Sequence, residues 1–143
     1  MRSALRHVAL MLSLASAAAS AGTGQTTLPG LKGDGPVTAF YPTAAADQPT
    51  QRGPFTVPLA PDAEPARGNG RVVVISHGSG GNPWVHTDLA RALVADGFIV
   101  AFPQHKGDHT GDFSTPGPES WKLRPAEVSR AIDALAADTR FAP

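Results

Sequence analysis

Residues 72–84 read VVVISHGSGGNPW, an apolar run that ends in His77-Gly78-Ser79-Gly80-Gly81. Glycine lets a ligand approach the backbone closely, and the amide N–H groups of such a turn aim at negative charge. Two ligands suit this arrangement: a phosphate, and the oxyanion that forms when a nucleophile adds to an acyl carbonyl. A phosphate cradle calls for a closing Lys or the spaced glycines of Gly-x-Gly-x-x-Gly, and neither is present. The oxyanion is therefore the expected ligand, weighed against a plain strand-to-helix turn with no chemistry.

A second polar cluster, HKGDHTGD, brings His105, Asp108, His109 and Asp112 close together in sequence. These spacings could hold a divalent metal. With Ser79 as nucleophile, His105 or His109 and Asp108 or Asp112 could also complete a serine–histidine–acid set. The simpler reading, a polar loop turning at Gly107 and Gly111, is favoured over both. Trp84 is expected to line the mouth of the pocket and Trp121 to pack under this loop.

These groups need elements to position them. Residues 71–76 form a short, β-branched, non-alternating run, which predicts a strand buried on both faces, as in a parallel sheet. Asn82 and Pro83 stand where an N-cap and a first-turn proline belong. Val85, Leu89 and Leu93 follow at helical spacing, and Gly97 supplies the stop. Residues 98–103 predict a second buried strand. A loop over 104–122 then leads to a helix opening at Arg124 and Pro125, with Glu127 in its first turn and Val128, Ile132 and Leu135 on one face. Strand, helix, strand, helix in that order means βαβ units and an α/β fold with a mostly parallel sheet. Before Gly70 only residues 37–41 and 55–59 look extended, which leaves 22–70 as a loop-rich lead-in with two short strands, Pro58 suggesting an edge.

The 143 residues amount to about one domain. Arg2 and Arg6, the apolar stretch over 8–18 and Ala19-Ser20-Ala21 make a secretory signal peptide cleaved after Ala21, which predicts a secreted or periplasmic protein. The apolar stretch is too short for a membrane span. The whole chain has 12 Lys+Arg and 12 Asp+Glu, so losing Arg2 and Arg6 leaves ten against twelve. Such a balance does not attract nucleic acid or an anionic membrane. There is no Cys, so packing alone must hold the exported chain together.

The segments HGSGG, DLARALVADGFIVAFPQHKGD and SWKLRPAEVSRAIDAL together resemble the α/β-hydrolase superfamily, in its dienelactone-hydrolase-like and platelet-activating-factor-acetylhydrolase-like branch. The resemblance covers residues 71 to about 137. It implies a serine esterase or lactonase acting on a small-molecule ester or lactone, with no cofactor. The Ser79 backbone N–H would donate to the oxyanion, His77 and Gly78 would form and brace the loop, and Gly80 and Gly81 would keep it open. Trp84 and His105 would shape the substrate pocket.

The resemblance also implies a nucleophile in Gly-x-Ser-x-Gly on a turn after a further strand, with an acid and a His downstream. No serine here has that frame: Ser79 has His77 in place of the first Gly, and Ser114, Ser120 and Ser129 lack the flanking glycines. The expectation is therefore the oxyanion-hole half of a hydrolase, cut before the nucleophile strand and inactive alone. It should present the 72–75 strand as an unpaired apolar edge prone to self-association. The alternative is a non-enzymatic exported module that binds through that edge or through the His/Asp metal loop.

Overall fold

The computed structural model describes residues 21–141, so the leader reading, apart from Ala21, lies outside the described residues. Six strands form one sheet: β1 (Gly22–Leu28), β2 (Val37–Thr43), β3 (Gln48–Arg52), β4 (Phe55–Pro61), β5 (Val72–Val74) and β6 (Ile99–Pro103). Their spatial order is β3-β4-β1-β2-β6-β5, and α1 (Thr87–Ala95) and α2 (Pro118–Ala137) lie against the sheet. The class is α/β, but the sheet is mixed, not mostly parallel. Only β1–β4 and β5–β6 pair in parallel, whereas β1–β2, β2–β6 and β3–β4 are antiparallel. Short connections permit the antiparallel pairing of β1 with β2 and of β3 with β4, and β2 then joins the N-terminal strands to β6 as a further antiparallel pair. The crossover through α1 is long enough to bring β6 parallel to β5.

Residues 22–70 contribute four strands instead of two. β1, GTGQTTL, escapes pattern reading because it lacks apolar alternation. Its Gly24 packs directly against the ring of the fully buried Tyr41, where any Cβ would collide. Its buried polar groups find partners: the Thr26 hydroxyl donates to Asp62 at 2.7 Å, and the Gln25 side chain accepts from the Arg52 guanidinium. Pro58 is not on the sheet edge, since β3 lies outside β4. It is tolerated because Pro49 stands opposite it, so neither asks the other for an amide, and because β4 meets β1 only at Ala60 and Pro61.

Alternation along β2 separates two cores. Val37, Ala39 and Tyr41 face Ala131 and Leu135 of α2, while Phe40 faces the opposite way, with Val100, Phe102 and Leu59, onto Ala90 and Val94 of α1. Asn82 caps as expected, accepting the Trp84 amide at 2.9 Å, although Pro83–His86 first make a 3-10 turn. Gly97, at φ +87°, lies just past the end of α1. The expected apolar face is corrected. Val85 and Leu89 point to solvent, and Ala90 and Val94 are buried because the small Ala90 lets the helix settle onto the sheet.

α2 begins two turns before the expected Arg124-Pro125, with Gly117-Pro118 as its start. Pro125 is internal and leaves the carbonyl four residues earlier without its helical donor. Glu127, Ala131, Ala134 and Leu135 are buried, while Ile132 and Trp121 are exposed, so Trp121 does not pack under the 105–112 loop. β5 is the last strand of the sheet. Val72 is exposed and 73–75 only half-buried, against the expectation of burial on both faces. Among the described residues no helix is long and apolar enough to cross a membrane.

Candidate functional site

The chain leaves β5 at the carboxyl end of the parallel β5–β6 pair, where open α/β sheets place their ligands. The Ile75 amide still bonds the Ala101 carbonyl at 2.9 Å, and the turn is closed by the Gly81 amide on the Gly78 carbonyl at 3.0 Å. Gly80 has φ +68°, and a side chain there would also press on the Phe113 ring. The 104–115 loop folds over the turn, and the Thr110 hydroxyl and amide donate at 2.9 Å to the Gly80 and Gly81 carbonyls.

A buried carboxylate holds this turn in place. One Asp108 oxygen accepts the Ser79 hydroxyl at 2.6 Å and the Gly80 amide at 2.9 Å, and the other accepts Arg124 at 2.9 Å. Arg124 also donates to the His77 carbonyl, which ties both loops to α2. Asp108 has no exposure to solvent. Burial by itself would raise its pKa, but donors from Ser79, Gly80, Arg124 and Ser120 outweigh that and bring it down to about 2. Ser79 thus meets a carboxylate and not a histidine. Its own amide donates to no acceptor among the described residues, and the residue is exposed, as is Gly78, beside which a side chain would meet open space.

His77 and His105 are buried with ring centres 4.7 Å apart. Burial holds the pKa of each below the usual histidine value, more strongly than the Gly78 carbonyl (His77) or Glu127 (His105) raises it. Each neutral ring has one tautomer that satisfies its neighbours. His77 Nδ1–H donates to the Gly78 carbonyl at 2.7 Å, and its Nε2 accepts the His105 amide at 3.2 Å. His105 Nδ1 lies 2.6 Å from Glu127 Oε2, and its Nε2 lies 2.6 Å from Ser76 Oγ. A carboxylate only accepts, so Nδ1 carries the hydrogen, Nε2 presents a lone pair, and the Ser76 hydroxyl donates to it.

The structure therefore joins His77, Gly78, Ser79, Gly80 and Gly81 to His105 and Asp108, but distributes the others. Trp84 lies under the Arg52 guanidinium, 5.6 Å from its ring centre, and lines a cavity of about 410 Å³ with Phe55, Val57 and Asp88, away from the glycine turn. His109 lies near Gln104 and is 3.9 Å from Asp112. Among the described residues no three His, Asp or Glu side chains converge to hold a metal, since His105 and Asp108 are turned to other partners. Ser76, Arg124 and Glu127 are the participants that sequence reasoning missed. The available signal was Glu127 itself, an acid on the Ala131/Leu135 stripe of α2. Compared with protein-family models, curated proteins and solved structures, the chain matches none.

Proposed function

We propose that the chain is an exported carboxylic-ester hydrolase of the α/β-hydrolase type, acting on an acyl ester or lactone, with the 77–81 turn as its oxyanion-binding element. The observation that carries this reading is the Ser79 amide. It has no acceptor among the described residues and belongs to a turn whose neighbouring Gly80 amide and Ser79 hydroxyl are both committed to a buried carboxylate. A donor held in that way needs no reorganisation when charge develops on a carbonyl oxygen, and one such donor contributes about 3–4 kcal/mol of transition-state stabilisation. The parallel β5–β6 pair with the far side of β5 open is also the arrangement that the hydrolase resemblance implies. Acyl transfer between an ester and water requires no cofactor.

The oxyanion assignment does not depend on which group attacks, so its test needs no turnover. Titrating the 15N-labelled chain with sodium butyrate, a product carboxylate, is expected to shift the Ser79 amide resonance saturably and to leave that of Gly80 in place. A stationary Ser79 resonance overturns the reading, and so does a stronger response to inorganic phosphate, which would make the turn a phosphate cradle.

The open edge of β5 adds a second copy of the chain as a partner in this reading, because an unpaired strand offers its N–H and C=O groups to another strand. Sedimentation of the purified chain is expected to show species larger than a monomer, and Val72→Lys, at an exposed edge position, is expected to shift the distribution toward the monomer. A wild-type chain that sediments only as a monomer contradicts it.

A further inference from the structure

The sequence frame of a hydrolase nucleophile is absent from these 143 residues, yet the fold links a serine to a histidine and a carboxylate drawn from three elements. Ser76 follows β5, His105 follows β6, and Glu127 reaches them from α2. Each link measures 2.6 Å, from Ser76 Oγ to His105 Nε2 and from His105 Nδ1 to Glu127 Oε2. The second Glu127 oxygen accepts the Lys106 amide at 3.3 Å, which fixes the carboxylate against rotation. His105 is fully buried and the Glu127 side chain only 4% exposed, whereas Ser76 is exposed, so Ser76 is the member of the set that meets solvent. The sequence leads on from Ser76 through the glycine turn to the Ser79 amide.

We propose that Ser76 is a nucleophile, with His105 as its general base and Glu127 as the group that holds the base in the required tautomer, and that it accepts the acyl group of an ester or lactone. As Oγ bonds to the carbonyl carbon, its proton passes to His105 Nε2 and the carbonyl oxygen becomes an oxyanion. Collapse breaks the bond to the alcohol oxygen, which leaves with the proton from Nε2; in a lactone that alcohol stays attached to the acyl chain. Water, deprotonated by Nε2, then adds to acyl-Ser76. Release of Oγ, which recovers its proton, yields the carboxylic acid and the original serine. The substrate class rests on the hydrolase reading, but the activation of Ser76 does not.

The test is labelling of the purified chain with an alkyl fluorophosphonate, read by intact mass and peptide mapping. A single adduct on Ser76 is expected, lost in Ser76→Ala, a change at an exposed position that leaves both cores untouched. Glu127→Gln can present an amide hydrogen to Nδ1, which would move the ring hydrogen to Nε2 and remove the base. Labelling should then slow by about 10²–10⁴-fold and lose its dependence on histidine ionisation in a pH series, while circular dichroism stays that of the wild type. Absence of a serine adduct, an adduct elsewhere, or full labelling of Ser76→Ala overturns the assignment. Hydrolysis of p-nitrophenyl acetate that persists in Ser76→Ala also overturns it and leaves the hydrolase reading standing. A labelled Ser76 with a Ser79 amide indifferent to butyrate keeps the nucleophile and removes the oxyanion turn.

Discussion

Arg124→Ala is expected to lower the unfolding free energy by about 3 kcal/mol, because it leaves the Asp108 carboxylate buried without its countercharge. Arg124 bonds both the Asp108 carboxylate and the His77 carbonyl, so its loss unties the glycine turn and the 104–115 loop from α2 at once. The Arg124 side chain keeps 16% exposure, and water entering on that side is why the lower end of the range for broken buried pairs applies. Arg124→Lys should recover only part of the loss, since one ammonium on a flexible stem does not reproduce a planar fork that spans two acceptors. Pairing Arg124→Met with Asp108→Asn, which removes both charges, should cost less than Arg124→Ala alone. Denaturant midpoints measure all three. A loss below about 1 kcal/mol in Arg124→Ala, the range of exposed pairs, would mean that the carboxylate finds water instead.

Acid is expected to destabilise the chain in two stages. His77 and His105 have folded pKa values below their unfolded value of 6.5, so in the window just below 6.5 the unfolded chain binds more protons than the folded one. Stability therefore rises with pH through that window, is fully present above it, and falls as the medium is acidified. Each histidine contributes a slope of at most about 1.4 kcal/mol per pH unit. Asp108 acts lower, its stabilisation being present above 3.8 and lost as pH falls toward about 2. Urea unfolding at pH 7.5, 6.5, 5.5 and 4.5 is expected to show the midpoint dropping steadily below 6.5. A flat profile across that range would show that the two rings are solvated.

The position of the glycine turn after β5 was legible because its signal is local: residue types, spacing and the neighbouring apolar run are all contiguous. The parallel neighbourhood of β5 and β6 followed from the strand–helix–strand pattern for the same reason. The relay could not be read in that way. Its links join residues 29 and 22 positions apart, and they meet only through the register of β5 on β6 and the phase of α2. Glu127 looked like a first-turn acid that favours a helix N-terminus. Because α2 starts at Pro118, Glu127 instead falls in the middle of the helix, facing His105. β1 was missed because burial there depends on Gly24 fitting the Tyr41 ring, a tertiary demand that leaves no apolar pattern in the strand itself.

Pro125 gives α2 a mechanical property that its neighbours lack. The missing rung falls between the turn that carries Arg124 and the turn that carries Glu127, so the helix holds these two groups with one backbone bond fewer than an unbroken ladder supplies. A helix short of one rung bends more easily there, and what lies ahead of it is tied to the loops through Arg124, whereas what lies behind it is packed on the sheet through Ala131 and Leu135.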